Sequence, residues 1–312
     1  MGVRPSAVSV VIPHYGDPEP TAAAVAAVRA QGTDVEVQVI VSDDASPSHF
    51  PEGAGYEVVR RERNGGFGAA VNSGIARARH DALLVLNSDV EIGPTFLDDL
   101  LAGAAPWWPA VVSPRVVHPH GDAIVARYWP TVAQQMTEWF EPFARFHGRD
   151  WLERLIGNDV DAHHSDAPAL TDWVLGVCML LPTDDVRAIG GFDERYFMNC
   201  EEIDLQRRLH EERLLPVVLL PEPLLRHASG ASSDPERRAG WLTDARFRYH
   251  EKWSGGAGLR HGLTAVAVAN AAWGSARAVF GRGNHPVKTF VRQRDWIEHG
   301  WATRRGESTI VG

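Results

Sequence analysis

Short apolar runs rich in β-branched residues alternate with helical segments along the first part of the chain, and this alternation limits the fold more than any other feature. The apolar runs lie at 8–12, 35–41, 56–59 and 82–86, and the Ala-rich helical segments at 21–30 and 69–79. Such alternation is typical of βαβ units, whose strands pair in parallel and are covered by helices on both faces. We therefore predict an α/β fold with a Rossmann-like, mostly parallel sheet.

The regular pattern is interrupted and then resumes. After a further predicted strand at 111–117, the segment 129–169 is rich in aromatic, His and Asp residues and only weakly periodic. We interpret this segment as a helical or loop insertion over the sheet. Strand-like sequence returns at 173–181 and 217–220, with a helix predicted to start near Glu201 between them.

Charge is distributed unevenly along the 312 residues. The net charge is −9, but residues 257–312 hold eight basic and three acidic groups, so this segment is +5 and the remainder −14. The acidic remainder argues against a nucleic-acid binder with a broad basic surface. We expect a catalytic domain at 1–255 and a basic, amphipathic helical extension at 256–312. The extension suits peripheral contact with an anionic membrane, packing on the catalytic domain, or formation of a homodimer, and the sequence leaves these alternatives open.

Cysteine content and hydropathy exclude two other classes of protein. Cys178 and Cys200 are too few for a disulfide framework, lack the spacing of zinc ligands, and have apolar neighbours that predict buried thiols. An uninterrupted apolar stretch of about 18 residues, which a spanning helix requires, is absent from the sequence. The apolar run near the N-terminus is too short for a signal peptide. We expect a cytoplasmic protein, with contact at the inner face of the membrane left open.

Polar side chains follow several predicted strands. Asp43, Asn64 and Asp89 each come just after one, and ligands of open α/β sheets bind at the carboxyl ends of the strands. Asp89 fits a Mg²⁺ or Mn²⁺ site, because such ions take one or two protein oxygens and complete their coordination from phosphates and water. The alternative is that Ser88 or Asp89 caps the following helix.

Three carboxylates fall within four residues at the predicted start of a helix. They belong to the sequence Glu201-Glu202-Ile203-Asp204. The alternatives are an ordinary acidic first turn, favoured by the helix dipole, and a buried pair that provides a general base. His227, after the last predicted strand, could complete a metal site with Asp89 or be merely structural. The loop 64–68 could cradle a phosphate or form a simple turn, and it matches neither the dinucleotide nor the P-loop fingerprint.

Taken in order, these segments resemble the family-two glycosyltransferases of the GT-A fold, and in particular the bacterial rhamnosyltransferase-like branch. The resemblance covers about residues 6–255. It rests on the motifs VSVVIP (8–13), VIVSDDAS (39–46), NGGFGAAVNSGI (64–75), LVLNSDV (84–90), GGFDE (190–194), EEIDL (201–205) and HASG (227–230).

The resemblance implies an inverting, metal-dependent glycosyltransferase that moves a sugar, with rhamnose as the branch-level expectation, from a dTDP- or UDP-sugar to a glycan or lipid-linked acceptor. Asp43 would bind the pyrimidine, and the loop Pro13-His14-Tyr15 would lie against the base and ribose. The remaining contacts to the nucleotide sugar are expected from Asn64, Gly68, Asn72, Asn87 and Ser88.

The same resemblance assigns the metal, the base and the acceptor. Asp89 and His227 would hold Mn²⁺ or Mg²⁺. Glu202 would deprotonate the acceptor hydroxyl, with Glu201 beside it. The residues expected to contact the acceptor are Trp173, Asp193 and Glu194.

Two departures from the family pattern leave alternatives open. Asn87 stands where the metal motif often has its first acid, and Glu202 stands where the base is often Asp, so either Glu201 or Glu202 could be the base. A sugar-phosphate nucleotidyltransferase and a non-catalytic nucleotide-sugar or glycan-binding protein are the alternative functions.

Overall fold

The computed structural model of the chain describes residues 3–119, 121–228, 234–280 and 285–306. Ser229 and Gly230 of the predicted HASG motif lie outside them. The strands are β1 (Ala7–His14), β2 (Glu36–Asp43), β3 (Glu57–Arg60), β4 (Ala82–Leu86), β5 (Val90–Ile92), β6 (Val111–His118), β7 (Gly121–Ala123), β8 (Ala126–Arg127), β9 (Ala169–Thr171), β10 (Trp173–Val174), β11 (Cys178–Pro182) and β12 (Val217–His227). The helices are α1 (Pro18–Arg29), α2 (Phe67–Ile75), α3 (Phe96–Ala104), α4 (Val132–Trp139), α5 (Asp150–Leu155), α6 (Val160–His163), α7 (Thr183–Ala188), α8 (Glu201–Arg213), α9 (Pro235–Trp253), α10 (Gly256–Val279) and α11 (Pro286–Thr303), with a 3₁₀ turn at Glu141–Phe146.

One large sheet forms the centre of the molecule, with strand order β3-β2-β1-β4-β11-β6-β12-β5. β3, β2, β1 and β4 pair in parallel, as the βαβ pattern predicts. β11 then runs antiparallel to both β4 and β6, and β12 is parallel to β6 but antiparallel to β5. The sheet is therefore mixed, and the expectation of a mostly parallel sheet holds only for its first half.

The last strand of the sheet is longer than the sequence predicts. We expected a strand at 217–220 with His227 beyond it, whereas β12 continues to His227. The pairing with β6 shifts between Leu220 and Leu224, where Pro221 and Pro223 supply no backbone N–H. Prolines of this kind are tolerated at a bulge. The strand resumes beyond the bulge and carries His227 to a position opposite Val90 of β5.

A continuous apolar core surrounds β4 and β11, whose side chains are fully buried. The run of small and apolar residues in α2 packs on β1 and β2. Cys178 and Cys200 are free and buried, as predicted, and burial raises the pKa of both thiols.

The insertion and the C-terminal helices pack on each other. A second core cluster joins Phe247 of α9, Leu259 and Leu263 of α10 and Ile297 of α11, and α4 of the insertion covers it with Val132. Packing on the catalytic part was one of the alternatives for 256–312, and it accounts for the buried face of these helices. The predicted division at residue 255 falls between α9 and α10, which are in contact. In the described part of the chain, every helix is too short or too polar to span a bilayer.

Leu263→Ala tests the packing of the C-terminal helices. Leu263 is fully buried, so we expect its truncation to lower the free energy of unfolding by about 2–5 kcal/mol. Val268→Ala on the same helix is the matched control, because Val268 is 54% exposed and its truncation should cost less than about 0.5 kcal/mol. Denaturant titration measures both, and equal effects would contradict the buried interface.

Candidate active site

The carboxyl ends of β1 and β2 bring His14 and Asp43 side by side. Asp43 is fully buried, and its carboxylate accepts hydrogen bonds from the backbone N–H groups of Ser46 (2.8 Å) and Phe50 (3.0 Å) and from the Arg60 guanidinium. Burial alone would raise the pKa of Asp43, but these bonds together hold it below the usual value. Asp43 thus fixes the loop after β2. Its contact with a pyrimidine stays a prediction, and a pyrimidine would have to share carboxylate oxygens that already accept these internal bonds.

The loop after β1 divides into a buried and an exposed part. His14 is buried, with Nδ1 2.7 Å from the Thr21 hydroxyl and its ring edge against Phe50. Burial lowers the pKa of His14, so the imidazole is neutral at pH 7. Tyr15 is 53% exposed and Pro13 partly buried. Of the three residues predicted to contact base and ribose, Tyr15 is the one most accessible to a ligand.

Asp44, which the sequence analysis did not assign, holds the glycine loop. Its carboxylate accepts from the N–H of Gly65 (3.0 Å) and Gly66 (2.7 Å) and pairs with Nε of Arg61 at 2.8 Å. These two amides are engaged inside the protein, which favours the simple turn over the phosphate cradle. Gly66 has φ +86°, and a Cβ there would lie 1.7 Å from the carbonyl oxygen of Phe197, so only glycine fits. The side chain of Asn64 accepts from the same Gly66 N–H at 3.1 Å.

Asn72 joins α2 to the turn that was predicted to face the acceptor. Its Nδ2 donates to the Phe192 carbonyl at 2.9 Å and to Glu194 at 3.0 Å, and its Oδ1 accepts from the Phe192 N–H at 2.8 Å. Gly68 lies under the same turn, where an added Cβ would be 3.0 Å from that of Phe192. Asn72 thus binds this turn and Gly68 packs against it. Their contact with a nucleotide sugar stays a prediction.

The turn itself presents acidic groups. Glu194 is exposed, whereas Asp193 accepts hydrogen bonds from Arg195 and pairs with Lys252 at 3.3 Å. Burial would raise the pKa of Asp193, but Arg195 and Lys252 outweigh it and hold the pKa far below the usual value. Asp193 is therefore ionised, and Glu194 is the more accessible group for an acceptor.

The structure brings Asp89 and His227 together at the pairing of β5 with β12. Nε2 of His227 is 2.9 Å from Oδ1 of Asp89, and the Ala228 N–H donates to the Asp89 carbonyl at 2.9 Å. Nδ2 of Asn87 is 3.5 Å from the same His227 nitrogen. The ring of His118 lies 5.1 Å from that of His227, at an angle of 52°, and its Nδ1 donates to the His227 carbonyl at 3.2 Å. Ser88 is partly buried between Asn87 and Asp89.

The Asp89–His227 pair fits two ligands of one divalent ion. Neighbouring ligand atoms of an octahedral ion with bonds of about 2.1 Å lie about 3 Å apart, close to the distance between Nε2 and Oδ1. Within the described ranges, three or more His, Cys, Asp or Glu side chains do not converge on a common point. Any ion held here would need further ligands from substrate or water, as ions bound to phosphates commonly do.

Glu201 and Glu202 open α8 as a buried carboxylate pair. The two residues before them, Asn199 and Cys200, have φ of +72° and +62°, a conformation that costs energy outside glycine and is concentrated at functional sites. Oε2 of each glutamate is buried and accepts no hydrogen bond from the described residues. Burial and the charge of Glu202 raise the pKa of Glu201 far above the usual value. Burial also raises the pKa of Glu202, although the charge of Arg127 opposes the rise.

Arg127 is a second residue that the sequence analysis missed. It lies on β8 opposite Trp173 of β10, with its guanidinium 5.6 Å from the indole centre. Nε of Arg127 is buried and donates to no described residue, and the charges of Glu138 and Glu202 support its ionised form against burial. No local motif marks Arg127, since it lies just before the weakly periodic segment 129–169 and reaches the site through the pairing of β8 with β10.

One short segment, Gly176–Val177, contacts both Glu202 and the strand end that precedes Asp89. A Cβ on Gly176 would be 3.4 Å from the Cβ of Glu202, and the Asn87 N–H donates to the Val177 carbonyl at 2.9 Å. The predicted metal motif and the predicted base therefore converge here, although more than a hundred residues separate them in sequence.

Trp173 and Asp204 help to fix the first turn of α8, which carries the glutamate pair. Trp173 is 5% exposed, donates from Nε1 to the Tyr128 carbonyl at 2.9 Å, and packs with Tyr196 and Ile203. This placement leaves the indole little surface for an acceptor, and the contact of Trp173 with the acceptor stays a prediction. Asp204 is fully buried and binds three groups, Nε of Arg208 (2.8 Å), Nζ of Lys252 (2.7 Å) and Nε1 of Trp253 (2.9 Å).

Glu201→Gln is expected to stabilise the protein in a pH-dependent way. In the unfolded chain Glu201 ionises near its usual pKa of 4.5, whereas in the folded protein the raised pKa keeps it protonated to higher pH. The wild type therefore loses stability as pH rises from about 4.5 to the raised pKa, by up to about 1.4 kcal/mol per pH unit. The variant should match the wild type below about pH 4.5 and exceed it at pH 7, as measured by urea unfolding.

Glu212→Gln, at an exposed position of the same helix, serves as the control and should change stability little at any pH. If Glu201→Gln behaves like Glu212→Gln at pH 7, Glu201 does not have a raised pKa.

Comparison with known proteins gives the family. A sequence profile of Glycosyl transferase family 2 matches residues 9–161. An N-acetylglucosaminyl-diphospho-decaprenol L-rhamnosyltransferase of Mycobacterium tuberculosis is 30% identical over 223 residues, which cover 65% of this chain and 71% of that protein.

The fold resembles that of GalNAc-T7, solved with UDP, GalNAc and Mn²⁺, at a TM-score of 0.58 and 13% identity, over 96% of this chain and 56% of the other. It also resembles the mannosyltransferase PcManGT of Pyrobaculum calidifontis, solved with GDP-Man and Mn²⁺, at a TM-score of 0.57 and 13% identity, over 97% and 89% of the two chains. The GT-A fold and the rhamnosyltransferase-like character expected from the motifs are thereby confirmed, and the chain belongs to glycosyl transferase family 2.

Proposed function

We propose that the protein transfers a sugar, with inversion and with the help of a divalent metal, from a nucleotide diphosphate sugar to a hydroxyl group of a lipid-linked acceptor. The observation that carries this proposal is that Gly176 and Val177 contact both Glu202 and the strand end at Asn87, two residues before the Asp89 that pairs with His227. A leaving diphosphate and an attacking hydroxyl require these two kinds of group close together.

Asp89 and His227 would hold the metal. When bound, a divalent ion neutralises the charge that develops on the leaving diphosphate. An imidazole beside a carboxylate suits Mn²⁺ better than Mg²⁺, since Mg²⁺ strongly prefers oxygen ligands. The presence of Mn²⁺ in the structures of GalNAc-T7 and PcManGT supports this choice.

Glu202 is the general base. It is the more exposed of the two glutamates, and Arg127 favours its ionised form. Glu201 stays protonated at its side, because two buried carboxylates so close together do not both ionise. In a single displacement the acceptor oxygen attacks the anomeric carbon, its proton passes to Glu202, and the bond from the anomeric carbon to the diphosphate oxygen breaks.

The substrates follow from the relatives and from the turn at 191–194. The name of the mycobacterial relative specifies rhamnosyl transfer to a lipid diphosphate carrier, which supports a rhamnosyl donor and a lipid-linked acceptor for this chain. Asp193 and Glu194 contribute carboxylates at which acceptor hydroxyls can donate hydrogen bonds. Tyr15 and the loop fixed by Asp43 receive the nucleotide.

Glu202→Gln tests the base. We expect the rate of transfer to fall by roughly 10²–10⁴-fold, the usual contribution of a general base, with donor affinity changed little. Transfer is measured with a nucleotide-sugar panel and a lipid-linked acceptor, and donor affinity by calorimetry. Glu212→Gln should leave both unchanged. Undiminished turnover in Glu202→Gln would contradict the assignment, and a larger loss in Glu201→Gln would transfer the role to Glu201.

Removal of the metal tests the other half of the site. Chelation, or Asp89→Ala, should abolish the rise in melting temperature that a nucleotide diphosphate and Mn²⁺ together produce, because a ligand stabilises only the state that binds it. Glu91→Gln, exposed two residues further along the chain, is the matched control and should retain the full rise. An equal rise in the presence of a chelator would show binding without metal.

A further inference from the structure

The C-terminal helices carry a stretch of positive charge without any acidic residue. Residues 257–294 contain six Arg or Lys and no Asp or Glu, in a chain whose net charge is −9. In the described part of the chain, Arg277 and Lys288 form no ion pair, and both are exposed. Their charges are therefore available to an outside partner.

The apolar residues of α10 serve two different purposes along its length. Leu259, Leu263 and Ala267 are buried against α9, α11 and α4. Beyond Asn270 none of the residues of α10 is buried. The last part of the helix therefore extends past the packed layer, although it remains rich in apolar side chains.

The end of α10 meets the start of α11 at one place, which we call the distal tip. A Cβ on Gly274 would lie 3.1 Å from the Cβ of Pro286, so the two helices are in contact there. Exposed apolar side chains surround this contact, and they are Trp273, Val279 (82% exposed), Phe280 (78%), Val287 (74%) and Val291. A cluster of this kind is uncommon on the surface of a protein that has no partner.

We propose that the distal tip docks on an anionic phospholipid bilayer without crossing it. Val279, Phe280 and Val287 would enter the boundary between headgroups and acyl chains, with Trp273 at headgroup level, while Arg277 and Lys288 contact lipid phosphates. Charge selects the lipid surface over a second copy of the chain, since two tips without acidic groups repel each other. The acidic remainder of the protein is repelled by the same surface and faces away from it.

Sedimentation with lipid vesicles tests the proposal on the full chain and requires no enzymatic activity, so its result is independent of the proposed reaction. The wild type should bind vesicles that contain phosphatidylglycerol and should bind pure phosphatidylcholine much more weakly. Added salt should weaken the binding. The combined variant Val279→Ser, Phe280→Ser and Val287→Ser should bind at least about tenfold more weakly, with an unchanged melting temperature because these side chains are exposed.

A matched control replaces three exposed apolar residues elsewhere, Val3, Leu155 and Leu170, by Ser and should bind like the wild type. Arg277→Gln combined with Lys288→Gln should reduce both the binding and its dependence on salt. Equal binding by the tip variant and the wild type would overturn the proposal, as would wild-type binding that ignores anionic lipid. A wild-type dimer that the tip variant converts to a monomer, with no vesicle binding by either protein, would assign the surface to self-association instead.

Discussion

The complete burial of β4 controls where polar chemistry can occur in this protein. Its five residues are fully buried, and its edges pair with β1 on one side and β11 on the other. A strand in this position has no place for an unpaired polar side chain. Asn87, Ser88 and Asp89 therefore follow as soon as the strand ends. Because β1 and β2 end at the same edge, His14 and Asp43 reach it as well, and the sheet brings together residues that are far apart in sequence.

Hydrogen bonding separates the acidic groups of the site into two kinds. Asp43, Asp44 and Asp204 are buried and fully engaged with backbone amides and cations, so they maintain loops and helix contacts. Glu201 and Glu202 each have one buried carboxylate oxygen, Oε2, that accepts no hydrogen bond from the described residues. An unsatisfied buried carboxylate is costly, and it is expected where a proton must be exchanged. The two groups are therefore distinguished by their partners rather than by their burial.

The sequence predicted local elements better than long-range contacts. The strands β1 to β4 and the start of α8 follow from periodicity, and the family resemblance followed from ordered motifs and is confirmed. The antiparallel insertion of β11 and the passage of β12 through Pro221 and Pro223 depend on pairings between distant segments, which periodicity does not encode.

The same reason explains the residues that were assigned differently or missed. Asn72 lies within α2 in the glycine-rich motif, but its amide bonds to a turn 120 residues away. Arg127 comes close to Glu202 through the pairing of β8 with β10. Asp44 received no role from the sequence, because its role depends on the glycine loop that it binds. The roles of these residues depend on which distant segment each side chain meets in the fold, and the sequence does not give this.

The bonds of Asp204 make the start of α8 dependent on the C-terminal helices. This carboxylate lies in the first turn of α8, close to the glutamates proposed to act in catalysis, and two of its three partners, Lys252 and Trp253, come from the end of α9. A shortened chain lacking α9 would leave Asp204 with Arg208 as its one remaining partner among the three. Helix α9 therefore helps to hold the start of α8 in place, and an exchange of this region between relatives would have to keep the contact of Asp204 with Lys252 and Trp253.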